Sequence, residues 1–229
     1  MSENHIQRVD KMFREVGIER EYFLLKQKET EHIWERIVEP VECQLPADIF
    51  GFLMELRSEP WEHLNTVKDT WDDTYSYHER RADKIFKCDL VDIPYMVVPE
   101  EVGKYFYDKY HGEKYTDFTR NVYDIEKTHH LGMFFDYTPS GRCLLTAGTH
   151  VHFSLRDDNG HIVTFKDKQV DYIVRAMDDI YEERIINAKR IIGEWEPKMH
   201  GFEYRSIPCN VPVYRILKDA FRVLREVTI

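Results

Sequence analysis

Long hydrophobic runs are missing from this chain of 229 residues, and nowhere do about 18 apolar residues follow one another, so no membrane-spanning helix is expected. The opening MSENHIQRVDKMFRE is charged throughout and has no apolar h-region, which argues against secretion. Basic residues are in deficit, 32 against 42 acidic ones. The formal charge of -10 repels phosphate backbones and anionic lipid, so neither nucleic acid nor membrane is an expected partner. Cysteine is sparse. Cys43, Cys88, Cys143 and Cys209 contain no CxxC pair, which points to reduced thiols in a cytoplasmic protein and away from a zinc ribbon or disulfide frame. With 10 Gly and 9 Pro and no repeat or linker, one domain over residues 1–229 is expected. P-loop, GxGxxG, GxSxG and HExxH motifs are all absent, which leaves nucleotide-loop, Rossmann, serine-hydrolase and zincin readings without support.

What is present is periodic. Residues 60–88 space Trp61, Leu64, Val67, Trp71, Tyr75, His78, Ala82 and Ile85 by three and four after a Ser58-Glu59-Pro60 start signal. The spacing predicts further helices over 168–192, with Gly193 as the stop, and over 212–227. Four segments alternate as strands: Gly17–Leu25, Phe52–Ser58, Thr146–Leu155 and Phe202–Ile207. Asp157-Asp158-Asn159-Gly160 reads as a hairpin turn into a further strand over His161–Phe165. Helices on one face of a sheet follow, an α+β arrangement.

The polar faces of these strands carry the chemistry. Glu19 and Glu21 share one face of the first strand, and Glu55 and Arg57 share one face of the second. His150, His152 and Ser154 line the third, and Glu203 and Arg205 the fourth. A merely solvated sheet face shows the same alternation but is usually rich in Lys, Thr and Ser. Carboxylates two residues apart in a strand repel unless a cation lies between them, and a hard divalent ion satisfies that requirement. Asp48 lies at an odd offset from Glu55, on the other face unless Gly51 introduces a bulge. His129-His130 and the Arg80-Arg81-Lys84-Lys87 cluster read as a loop and a solvated helix face. An HxH strand also opens amidohydrolase barrels, but their later ligands are not found in this chain.

In order, these segments resemble the glutamine synthetase / glutamate–cysteine ligase superfamily, closest to the short amidoligase branch described as COOH–NH2 ligase type 2. Gly17-Ile18-Glu19-Arg20-Glu21 is similar to the family's first GxExE strand, and Asp48 through Glu55 to its second acidic strand. Gly148-Thr149-His150-Val151-His152-Phe153-Ser154-Leu155 is similar to its GxHxHxSL strand, and Glu203-Tyr204-Arg205 to its ExR strand. The resemblance implies a curved antiparallel sheet forming a funnel, with helices packed on its outer face.

It also implies an ATP-dependent carbon–nitrogen ligase that joins a small-molecule or peptide carboxylate to an amine through an acyl phosphate. Glu19, Glu21, Glu55, His150 and Glu203 would hold Mg²⁺ or Mn²⁺. His152 and Ser154 would face the nucleotide, and Arg205 would stabilise the phosphoryl group in transfer beside Glu203. The family's upstream arginine-bearing loop has no clear match. Arg184, Lys189 and Arg190 are the cations at that position, and Arg190 is assigned to the nucleotide. Family relatives assemble into oligomers, so a homo-oligomer is an expectation of the same kind. Two alternatives stay open: a nucleotide- or metal-binding module without catalysis, and metal-dependent hydrolysis on the same ligands. Relief of carboxylate repulsion predicts that Glu19→Gln leaves the fold intact or slightly more stable.

Overall fold

The computed structural model describes residues 12–25, 47–50, 53–58, 60–86, 88–99, 137–138 and 142–228. Gly51, Phe52, Glu59, Lys87, Cys43, His129 and His130, named above, lie outside them. Strand β1 (Phe13–Leu25) is the spine. Its residues Val16, Ile18, Tyr22 and Leu24 are buried on one face, and successive side chains must alternate, so Glu19 and Glu21 take the other. Around it lie β2 (Ala47–Phe50), β3 (Leu53–Arg57), β4 (Asp89–Val91), β8 (Gly148–Arg156), β9 (Trp195–Lys198) and β10 (Gly201–Pro208). The seven strands pair antiparallel in the order β2-β3-β1-β8-β10-β9, with β4 also on β1. A smaller sheet joins β5 (Tyr95–Pro99), β7 (Arg142–Thr146) and β6 (Tyr137–Thr138).

Three helices, α1 (Leu64–Arg81), α2 (Asp167–Asn187) and α3 (Val213–Glu226), bury their apolar stripes against the face opposite Glu19. Ile173, Met177 and Ile185 of α2 and Ile216, Leu217 and Leu224 of α3 are almost wholly buried with Val151, Phe153, Phe202 and Tyr204 of the sheet. Each such side chain contributes about 1.5–3 kcal/mol, so this layer is the main stabiliser of the sheet. Asp178 of α2 is buried among them because its Oδ1 accepts bonds from Tyr204 Oη at 2.6 Å and Gly193 N at 3.1 Å. The α+β class and the helix-covered antiparallel sheet are as expected. Among the described residues no helix is long and apolar enough to cross a membrane.

Several boundaries differ from expectation. The first helix begins at Leu64, since Trp61 N and O pair with Val16 O and N and hold residues 60–61 extended beside β1. It closes in a π-helical turn over Ala82–Phe86. The second helix stops at Asn187, five residues early. Lys189 takes φ 61°, and Arg190 N bonds Ile185 O while Lys189 N bonds Ile186 O, a Schellman closure with lysine in the place usually given to glycine. The Asp157–Gly160 turn forms, with Gly160 at φ 80°, but the strand expected after it is reduced to one bridge, Arg156 to Ile162. The chain must by then turn into α2, which Lys166 caps. The expected single strand at 146–155 is divided at Ala147, whose N bonds Pro94 O and whose O accepts from Cys209 N as the chain changes sheets.

Candidate functional site

The acidic face of the sheet is built by register. Antiparallel pairing sets Glu19 opposite both Arg57 and His150, Glu21 opposite Glu55, and Glu203 opposite His152. Directly opposed residues share a face, so four strands deliver their polar side chains to one patch. Asp48 lies opposite Glu55 in the β2–β3 register, so a parity count along the chain does not carry across the turn.

Between Tyr204 and Ile207 the pairing of β10 with β8 slips, so Arg205 and Ser206 together oppose His150. The bulge returns Ile207 to the core and leaves Arg205 beside Glu203, a re-aiming that such irregularities commonly provide next to functional sites. Ser206 Oγ accepts from Glu194 N at 3.0 Å and fixes the extra residue.

His150 is the centre. Its Nδ1 lies 2.8 Å from Glu203 Oε1, 3.8 Å from Glu19 Oε2 and 4.0 Å from Glu55 Oε2. His152 Nε2 is 3.3 Å from Glu19 Oε1, and its Nδ1 shares a 3.0 Å hydrogen bond with His200 Nε2. Arg57 reaches Glu19 Oε1 at 3.2 Å and Glu55 Oε1 at 2.8 Å. Arg205 Nη1 bonds Glu203 Oε1 at 2.9 Å and Glu196 Oε2 at 3.1 Å, while Lys198 Nζ stands 2.7 Å from Glu203 Oε2. Glu55, His150 and Glu203 are nearly inaccessible, and Glu19 is more open than these three.

The charges follow from this packing. Burial disfavours ionised Glu19, but hydrogen bonds and charge from His150 and His152 outweigh it and hold its carboxyl well below the usual range. Glu203 is likewise held low against burial, by His150 and then Arg205. For His150, burial and Arg205 oppose protonation, yet Glu203 and Glu19 raise it to about 9. Burial pushes Glu55 up, and the charges of Glu19 and Glu21 add to that against His150 and Arg57. The pattern is an imidazolium embedded in carboxylates. It is costly to bury unless fully compensated, and such opposed shifts in one cluster mark a candidate functional site.

A divalent metal fits this donor set. Oxygen or nitrogen atoms of Glu19, Glu55 and His150 all lie within 4.8 Å of one another, and so do those of Glu19, His152 and Glu203. The two triads share Glu19. His152 Nε2 and Glu203 Oε2 stand close to charged partners yet lack an aligned hydrogen bond. Carboxylates with imidazole suit Mn²⁺, and Mg²⁺ where water completes the shell.

The expected residues do not all converge equally. Glu19, Glu55, His150, His152, Glu203 and Arg205 form one cluster. Glu21 stands at its margin, where its Oε2 accepts Gly148 N at 2.5 Å. Ser154 continues the His150–His152 row opposite Glu15, with a buried hydroxyl that has no partner among the described residues. Arg190 lies against Gly148 but directs two nitrogens to the carbonyls of Arg205 at 2.5 Å and Ser206 at 3.2 Å, so it braces the bulge. Arg184 and Lys189 are exposed. Glu196, Lys198 and His200 were not anticipated. Their two-residue spacing is the signal available in the sequence, and Pro197 within it is tolerated because, among the described residues, β9 pairs with β10 alone. No family model, curated protein or solved structure matches this chain.

Proposed function

We propose that the chain is an ATP-dependent carboxylate–amine ligase working with Mg²⁺ or Mn²⁺ on a curved, glutamine synthetase-like sheet. The observation that carries the metal half of this reading is the sharing of Glu19 by two triads of ligand atoms on one sheet face. The nucleotide and the ligation rest on the resemblance of the four strand motifs. Glu19, Glu55, His150, His152 and Glu203 would hold the ions, and Glu21 would shape the margin. Bound metal would supply positive charge beside the phosphoryl oxygens, the main requirement of phosphoryl transfer.

The chain's own groups have defined tasks in that reaction. Arg205, anchored by Glu203 and Glu196, presents a guanidinium to the transferring phosphoryl group. Lys198 adds a second cation at the same carboxylate. The substrate carboxylate would take the γ-phosphoryl group as ADP leaves, and the amine would then displace phosphate from the acyl phosphate. Purified protein with Mg·ATP and panels of amino acids and amines tests this. Release of ADP that needs both a carboxylate and an amine is the expected result. ADP release without either identifies hydrolysis and refutes ligation.

One observation favours a second reading. Arg57, Arg205 and Lys198 already compensate the carboxylates at 2.7–3.2 Å, as they would in a binding module that does not turn over. Saturable Mn²⁺ and ATP binding with no ADP release under any substrate pair would establish it.

A further inference from the structure

On the reverse face of the sheet, β1 carries Arg20 and Tyr22 between and beyond the acidic pair Glu19 and Glu21. Arg20 is only 5% exposed; its Nη2 donates to Val211 O at 2.6 Å and its guanidinium lies 5.4 Å from the Tyr22 ring centroid, while its Nε has no hydrogen-bond partner among the described residues. It lines a cavity of about 370 Å³ between α1, the start of α3 and β1. A buried guanidinium is costly unless its charge is compensated, and an anion in the cavity it lines would add to that compensation.

The rest of the lining supplies what such a ligand needs. Pro212, Val213 and Tyr214, the uncapped first turn of α3, border the cavity. The first-turn amides of an α-helix find no acceptor within the helix itself, and the positive end of the helix dipole favours negative charge. Lys68 of α1 adds a cation at the rim. Opposite in sign, Asp72 of α1 and Asp92 after β4 line the same cavity. The two cations and two carboxylates balance, which suits a ligand carrying both charges better than a polyanion. Tyr22, Trp71 and Leu217 provide an apolar wall.

We propose that this cavity is a second ligand site that takes a small zwitterion of amino-acid type with an apolar side chain. Its carboxylate meets Arg20, Lys68 and the α3 amides, its ammonium meets Asp72 and Asp92, and its side chain lies on Tyr22, Trp71 and Leu217. The site does not depend on the metal cluster, from which the sheet separates it, and its proof or failure leaves the ligase reading untouched.

Calorimetric titration of the full chain in EDTA with L-leucine and L-phenylalanine tests the proposal. Saturable binding of either is expected. 3-Phenylpropionate, which lacks the ammonium, and phenylalaninamide, which lacks the carboxylate, should bind about tenfold more weakly or not at all, since each leaves a charged partner unsatisfied. Lys68→Met and Asp72→Asn, both at exposed positions, should each weaken binding about tenfold with an unchanged circular-dichroism spectrum. Arg20→Met should abolish it. Glu19→Gln, on the other face, should leave the affinity unchanged. Absence of saturable heat with both amino acids overturns the proposal. So does equal affinity for 3-phenylpropionate, displacement by inorganic phosphate without discrimination, or a loss of amino-acid binding in Glu19→Gln that Lys68→Met does not cause.

Discussion

Single residues decide whether the acidic face is a metal site. Glu19 belongs to both triads, so Glu19→Gln should weaken Mn²⁺ binding at least tenfold, measured by calorimetry. Repulsion between like charges suggests that the same change stabilises the metal-free fold, but the structure reverses this. Glu19 is the partner of Arg57, His150 and His152, and its loss leaves Arg57 and His150 under-compensated and His152 without that contact. A destabilisation of about 1.5 kcal/mol in EDTA is expected from urea unfolding. His150 supplies the pH dependence. Its pKa rises from 6.5 to about 9 on folding, so the stability it contributes is complete below pH 6.5 and is lost as pH climbs through 9. Metal needs the neutral imidazole, so binding at pH 7 should release a proton and tighten steadily up to about pH 9. Calorimetry in buffers of different ionisation enthalpy will show the released proton. Equal observed heats in all the buffers would refute the imidazolium.

At the scale of elements, the closure of α2 sets the position of Arg190. Lys189 holds φ 61° without glycine's freedom, at a cost of about 1 kcal/mol. Lys189→Gly should therefore raise stability by about 0.5 kcal/mol net of the unfolded chain's added entropy, visible as a small rise in Tm. Arg190 in turn bonds the carbonyls of the two β10 bulge residues, which holds Arg205 beside Glu203. Arg190→Met should cost about 2 kcal/mol of stability, and through the displaced bulge it should lower turnover more than Mn²⁺ affinity. The β9–β10 turn is tighter still. Gly201 sits at φ 147°, and an added Cβ would collide with Phe153 O, so Gly201→Ala should reduce soluble yield and detach β9 with its Glu196 and Lys198.

Across the whole molecule, the sheet is a two-sided plate. One face is sealed by three helices and carries most of the stability, and the other collects charge from β3, β1, β8, β10 and β9. Metal that binds only the folded arrangement must stabilise all of it. Mn²⁺ at about 100 times its Kd should add about 2.7 kcal/mol, a rise in Tm of roughly 5–10 °C in a chain of this size. Differential scanning calorimetry with and without EDTA measures this, and Glu19→Gln should erase most of the shift. Buried Cys88 and Cys209, the latter pushed up to about 12 by burial, should not react with thiol reagents until the plate unfolds.

The amino-acid sequence determined the local periods: three amphipathic helices, four alternating strands, and the identity of the side chains on each polar face. These are properties of backbone geometry at 3.6 and 2 residues per repeat, and neighbouring residues suffice to express them. Register, the β10 bulge, the early end of α2 and the joining of Glu196, Lys198 and His200 to the cluster were decided only by tertiary structure. Each depends on packing and shared hydrogen bonds that periodicity does not encode, from the local closure of α2 to the pairing of β1 with the distant β8. Arg20 shows the difference most clearly. In the sequence it is a charge between two glutamates, and only the helices folded onto the opposite face make it a buried cation lining a cavity.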